Sequence, residues 1–213
     1  MKHFKFYALK LVGLTFIVFL LQVFFGKDFT NMFSLVANVA WQEPWRFLTP
    51  IFLHGGVGHF LTNMFGLALF GSLLEKVIGA KRFLFVYIGT GIIANLISVN
   101  FYPASLGASG AVFGVLGCLA VLRPNLVVWI SYMPMPMWLA IFVWAAIDLL
   151  GVFYPSGTGN IAHLVGMISG IALGFFWSRR FGKYKRKRNK QKVISNDEFR
   201  FWESRYMRQG QKR

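Results

Sequence analysis

The chain has 213 residues, 56% hydrophobic and 14% charged, with a formal net charge of +16. Soluble domains run near 25% charged residues, so this composition excludes an ordinary soluble protein and points to a membrane protein. Nor does the charge mark nucleic-acid binding, because residues 179–213 hold 14 of the 23 Lys and Arg and the excess is mainly a tail. Aromatic residues, 18% of the chain, suit lipid-facing surface and interfacial belts. A single cysteine, Cys118, excludes a disulfide framework.

Six apolar segments follow in order: 6–25, 59–78, 83–102, 109–122, 135–153 and 159–178. All but 109–122 have the roughly 20 residues that a bilayer core demands. The first follows Lys2 and Lys5, lacks a small-residue cleavage site, and is expected to remain as a helix that also targets the chain. The connection 26–58 is too apolar for a free loop and is expected to fold back and lie in the outer interface. Lys2, Lys5 and Lys10, then Lys76, Lys81 and Arg82, then Arg123, then the tail lie on one side; the alternate connections hold only Lys27, Asp28, Glu43 and Arg46. The positive-inside rule therefore predicts both termini in the cytoplasm.

Segment 109–122 is short. Fourteen helical residues reach about 21 Å against a core of about 30 Å, so Ser109 falls about 10 Å below the outer surface if Arg123 marks the inner one. The loop 103–108 must then dip into the membrane, as non-helical backbone does where protein shelters it or it lines a watery cavity. A locally thinned bilayer is the alternative. Beyond 178, the run KYKRKRNKQK at 183–192 is expected to meet anionic lipid. Phe199, Phe201, Trp202 and Tyr206 fit a short amphipathic helix.

Ser109 opens an apolar helix between Ala108 and Gly110, where backbone N–H groups lack intrahelical partners and carry the positive end of the dipole. Such groups suit a developing oxyanion, although a serine there also serves as a simple helix cap. His163 falls early in the last segment at nearly the same depth, and an ionisable group inside a span is a functional candidate. Gly166, Gly170 and Gly174 recur every four residues, as do Gly110 and Gly114, so the two helices can pack backbone to backbone. That approach would bring the Ser109 hydroxyl to the imidazole, a nucleophile beside its general base. His59 and Asn63 share a helical face and could add oxyanion donors; equally, Asn63 could hold helices together. His54 and His59 lack the spacing and carboxylate of a zinc site, so no metal and no cofactor is expected. Asp148, near the outer end of the fifth segment, is too solitary for an aspartic dyad; that it orients His163 is a lesser alternative.

Trp45-Arg46, the run His54-Gly55-Gly56-Val57-Gly58-His59-Phe60-Leu61-Thr62-Asn63, the tetrad Gly107-Ala108-Ser109-Gly110 and Ala162-His163-x-x-Gly166-x-x-x-Gly170 resemble the rhomboid intramembrane proteases in order and spacing. The resemblance covers roughly residues 5–180. It implies an all-α, six-transmembrane-helix bundle with Ser109 as nucleophile and His163 as base, without a catalytic acid. It further implies that Asn63, His59 and the Ser109 N–H bind the oxyanion, and that Trp45-Arg46 marks a structural outer loop. Phe113 stands where many members carry a tyrosine packed on the histidine. The expectation is a protease domain over 1–180 and a basic cytoplasmic tail over 181–213, in a multi-pass protein of the plasma (inner) membrane if the source is prokaryotic. Single-pass membrane proteins, cleaved near the outer end of their helix, would be its substrates. They would enter past the fifth helix with Trp138, Phe142 and Trp144. An inactive relative that binds membrane helices is the alternative; a transporter lacks support, since no inverted repeat is evident.

Overall fold

The computed structural model describes residues 5–130, 132–154, 157–188 and 197. Among them run six long helices: α1 (Tyr7–Phe33), α2 (Val57–Ile78), α3 (Ala80–Ser98), α4 (Ser109–Leu122), α5 (Met137–Phe153) and α6 (Asn160–Arg188). Two antiparallel ladders accompany them, β1 (Leu35–Val36) with β2 (Ala104–Ser105) and β3 (Val127–Ile130) with β4 (Met133–Pro136). The chain divides into two compact units, Met1–Phe176 and Trp177–Arg213, and the candidate site lies wholly in the first. The expected amphipathic helix at 199–206 and the end of the polybasic run lie outside the described residues.

Helices α1, α2, α3 and residues Asn160–Arg179 of α6 are long and apolar enough to cross a bilayer; α4 and α5, with 14 and 17 residues, are shorter. The sequence places 135–153 in one segment, but the helix begins only at Met137. Pro134 and Pro136 lack a backbone N–H and push the residues before them into extended backbone, so 133–136 pair with 127–130 as a hairpin instead.

The connection after the first apolar segment is built from short ordered elements. Helix α1 runs on to Phe33 with a kink at Gly26, whose φ of 72° a side chain would disfavour. Two 3₁₀ turns follow, Pro44–Phe47 and Thr49–Phe52. Arg46, which is buried, donates to the carbonyls of Asn31 (2.6 Å) and Ser34 (2.7 Å) and pairs with Glu43. Leu35, Ala40, Phe47 and Val99 close a small core, and Asn95 of α3 donates to the Phe47 carbonyl at 3.0 Å. The expectation that Trp45-Arg46 is structural thus has a physical basis in Arg46, whose guanidinium ties the end of α1 to the loop through two backbone carbonyls.

The helices meet through their glycines. A Cβ on Gly114 would strike Thr90 of α3; one on Gly166 or Gly170 would strike the carbonyl of Gly110 or Gly114. Small residues let the backbones of α4 and α6 touch, as the four-residue spacing predicts. Ten of the fourteen α4 residues are buried, whereas Phe24, Phe65, Phe142 and Ile168 stand on the outside as lipid-facing surface.

Candidate active site

The segment leading into Ser109 is pinned before the helix starts. Leu35 pairs with Ser105 and Val36 with Ala104, the Ala37 N–H donates to the Pro103 carbonyl, and the Gly107 N–H donates to the Pro50 carbonyl at 2.9 Å. Helix α4 then begins at Ser109, with Ala108 as its cap residue and no side-chain hydrogen bond closing the end. The Ser109 hydroxyl is therefore not used as a helix cap, and the first N–H groups of α4 are left available.

Across from it, α6 starts at Asn160, located by the Ile161 N–H donating to the Tyr102 hydroxyl at 3.1 Å. His163 lies in its first turn, 8% exposed. The close approach of Gly110 to Ala162 and Gly166 makes the first turns of α4 and α6 neighbours, and His163 is held there from two sides. The Phe113 ring stacks on the imidazole, with centroids 4.3 Å apart and planes 4° from parallel. The second contact is Asp148 of α5, whose Oδ1 lies 2.9 Å from His163 Nδ1. No hydrogen bond joins Ser109 to His163 among the described residues, and catalytic contacts of this kind often close only around a substrate.

His59 of α2 comes to the same place. Its Nδ1 accepts from the Gly55 N–H at 3.4 Å, which leaves the ring proton of the neutral imidazole on Nε2. Nε2 faces Gly107: a Cβ there would sit 2.9 Å from His59 Nε2 and 3.7 Å from Ser109 Oγ, and the Gly107 φ of 134° already favours glycine. The glycine leaves the space between imidazole and serine open. Asn63, one turn further along α2, is buried and donates through Nδ2 to the His59 carbonyl at 2.9 Å. One of its two amide N–H groups is thus spent within its own helix, and the other remains.

His54 is brought near but serves a different purpose. Gln22 of α1 donates to its carbonyl at 3.2 Å and accepts from its N–H at 2.9 Å, fixing the loop before α2. Its ring packs edge-on against His59 and Phe60, and burial, then the neighbouring His59, pushes its pKa down to about 4. It is a neutral packing group at physiological pH.

Beside His163 opens a cavity of about 430 Å³ lined by Phe113, Trp144, Asp148, Gly151 and Asn160. Trp144 closes one wall against Phe70 of α2 and Phe113 of α4. No group of three or more His, Cys, Asp or Glu capable of holding a metal occurs among the described residues. The contact that sequence reasoning ranked lowest is Asp148 with His163. Its signal was an acid near the outer end of a span, at the level of the only intramembrane histidine of the later helices.

A multi-pass helical membrane protein whose serine-bearing helix start packs through glycines on a histidine-bearing helix is the class these features define. Residues 41–180 match the family model of the Rhomboid domain. The putative rhomboid protease YdcA of Bacillus subtilis is 36% identical over 160 residues, 72% of this chain and 76% of that protein. The rhomboid protease GluP of the same species is 36% identical over 182 residues, 78% of this chain but 34% of its own length. The mitochondrial Rhomboid protein 1 of Saccharomyces cerevisiae is 31% identical, over 70% of this chain and 52% of its own. The chain belongs to the rhomboid family.

Proposed function

We propose that this protein is an intramembrane serine endopeptidase that cleaves single-pass membrane proteins near the outer end of their transmembrane helix. The observation that supports this reading is the backbone contact of Gly110 with Ala162 and Gly166, which packs the start of α4, where the Ser109 hydroxyl caps nothing, on the first turns of α6, which carry His163. Ser109 Oγ attacks the scissile carbonyl while His163 Nε2 takes its proton, then returns it to the leaving amine; water hydrolyses the acyl-enzyme by the same route. The Ser109 N–H and His59 Nε2–H stabilise the oxyanion, with Asn63 supplying its remaining amide hydrogen. All six helices cross the membrane, α4 and α5 as short spans, with both termini on the cytoplasmic side. A substrate helix must unwind to offer its carbonyl, so small or helix-breaking residues are favoured at the cut.

The direct test is labelling by a serine-directed fluorophosphonate in native membranes. Wild type should label and Ser109→Ala should not; equal labelling, or none in either, leaves the helix-binding inactive relative as the better reading. Topology is checked separately. A thiol tag placed in 26–40 should react with an impermeant reagent from outside, and a reporter fused after 180 should read cytoplasmic. A cytoplasmic 26–40 segment would place the site at the wrong face.

The oxyanion assignment is tested by substitution. Asn63→Ala and His59→Ala should each lower kcat by about 10²–10³-fold without abolishing it, since backbone donors remain. If both cleave a model substrate at the wild-type rate, α2 is scaffold only.

A further inference from the structure

The carboxylate of Asp148 is one of the most costly groups in this fold. It lies in α5, 4% exposed, and its Oδ2 is enclosed without a hydrogen-bond partner. Its Oδ1 touches the His163 ring at 2.9 Å, and among the described residues no lysine or arginine pairs with it. A buried carboxylate facing a neutral ring is worth little in the resting protein and loses its hydration. The balance changes when His163 gains a proton, because a cation then forms directly against the carboxylate in a low-dielectric site. That gain exists only during the reaction, which is where an interaction raises turnover.

We infer that Asp148 is the positioning residue of a Ser109–His163–Asp148 arrangement, holding the imidazole proton on Nδ1 so that Nε2 stays free to act as base. This rests on the protease reading above and adds a residue that orients its general base. The alternative tautomer would put the ring proton on Nε2 and leave His163 unable to receive the Ser109 proton. Phe113 fixes the plane of the ring by stacking; Asp148 engages the Nδ1 edge and leaves the Nε2 edge unbound. Two independent contacts thus remove both freedoms of the imidazole. No atom is transferred to Asp148: the Ser109 proton moves to Nε2 and on to the leaving amine, while the carboxylate stays ionised.

The experiment compares Asp148→Asn, Asp148→Ala and Ser109→Ala in the full chain, with melting curves in detergent and ¹⁵N NMR of labelled histidine. Asp148→Asn preserves the shape of the side chain and removes its charge. It should lower kcat by about 10²–10⁴-fold with KM within a fewfold of wild type, at unchanged melting temperature. Fluorophosphonate labelling should slow in parallel, since that step needs the base but no leaving amine. In the wild type, His163 should show a protonated Nδ1 and a bare Nε2, and Asp148→Ala should populate the other tautomer. Wild-type kcat in Asp148→Asn, or a protonated Nε2 in the wild type, overturns the inference. An inactive Ser109→Ala beside a fully active Asp148→Asn would leave the dyad standing without its third member, whereas an active Ser109→Ala would remove the protease reading itself.

Discussion

Alanine at Ser109 or at His163 is expected to abolish cleavage of a reporter transmembrane helix, and the double variant is expected to be no worse than either single one. The two groups act in one proton transfer, so removing one leaves the other with nothing to do, and the losses do not add. Stability separates the two variants. Ser109 caps nothing, so Ser109→Ala should melt as the wild type does. His163→Ala strips the hydrogen-bond partner from the buried Asp148 carboxylate and should lose about 1–3 kcal/mol, the usual penalty for such an orphan. Ser109→Cys should keep slight activity, because the thiolate is nucleophilic but sits at a longer bond. Cleavage measured at matched membrane expression decides the matter: full activity in either alanine variant would end the dyad, and additive partial losses would assign the two residues separate structural tasks.

Most of this site could be read in one dimension because its signals are local. Ser109 announces the start of α4 by following a loop of small residues, and the four-residue glycine spacing encodes a face, since residues i and i+4 stack on one side of any helix. The limits of α4 follow directly from its unbroken apolar run between Ala108 and Arg123. What the sequence hid depends on how helices rotate about their own axes. Asp148 and His163 lie 15 residues apart on different helices, and nothing local says which face of α5 turns toward α6. Asn63 is similar: its spacing from His59 shows a shared face but not that its amide turns back to the His59 carbonyl. The hairpin of β3 and β4 was obscured for another reason. Its valines and methionines are as apolar as a span, and only Pro134 and Pro136 betray that the helix cannot yet have begun.

Gly166→Val should cost more stability than any substitution of a polar site residue, and lower activity by a different route. The glycine lies where α6 touches α4, and even a methyl group there would collide with the backbone carbonyl of Gly110, one residue past Ser109. Backbone cannot rotate away as a side chain can, so the helices must separate. Overpacking ordinarily costs about 1–3 kcal/mol, and a backbone clash in a contact built from two glycines should reach or exceed the upper end. The separation also shifts the first turn of α4 against the first turn of α6, drawing Ser109 away from His163 where a displacement of about 1 Å is worth about 10²-fold in rate. Activity and melting temperature should therefore fall together in Gly166→Val, and Gly170→Val should follow it because its Cβ meets the Gly114 carbonyl in the same way. Ser109→Ala provides the contrast, with activity lost and melting retained. Gly13 lies in α1, and a methyl group added there would meet nothing within 4 Å, so Gly13→Ala should leave both quantities unchanged. Wild-type melting in Gly166→Val would show that α4 and α6 tolerate a wider spacing, and the glycine contact would then not be what sets the distance between serine and histidine.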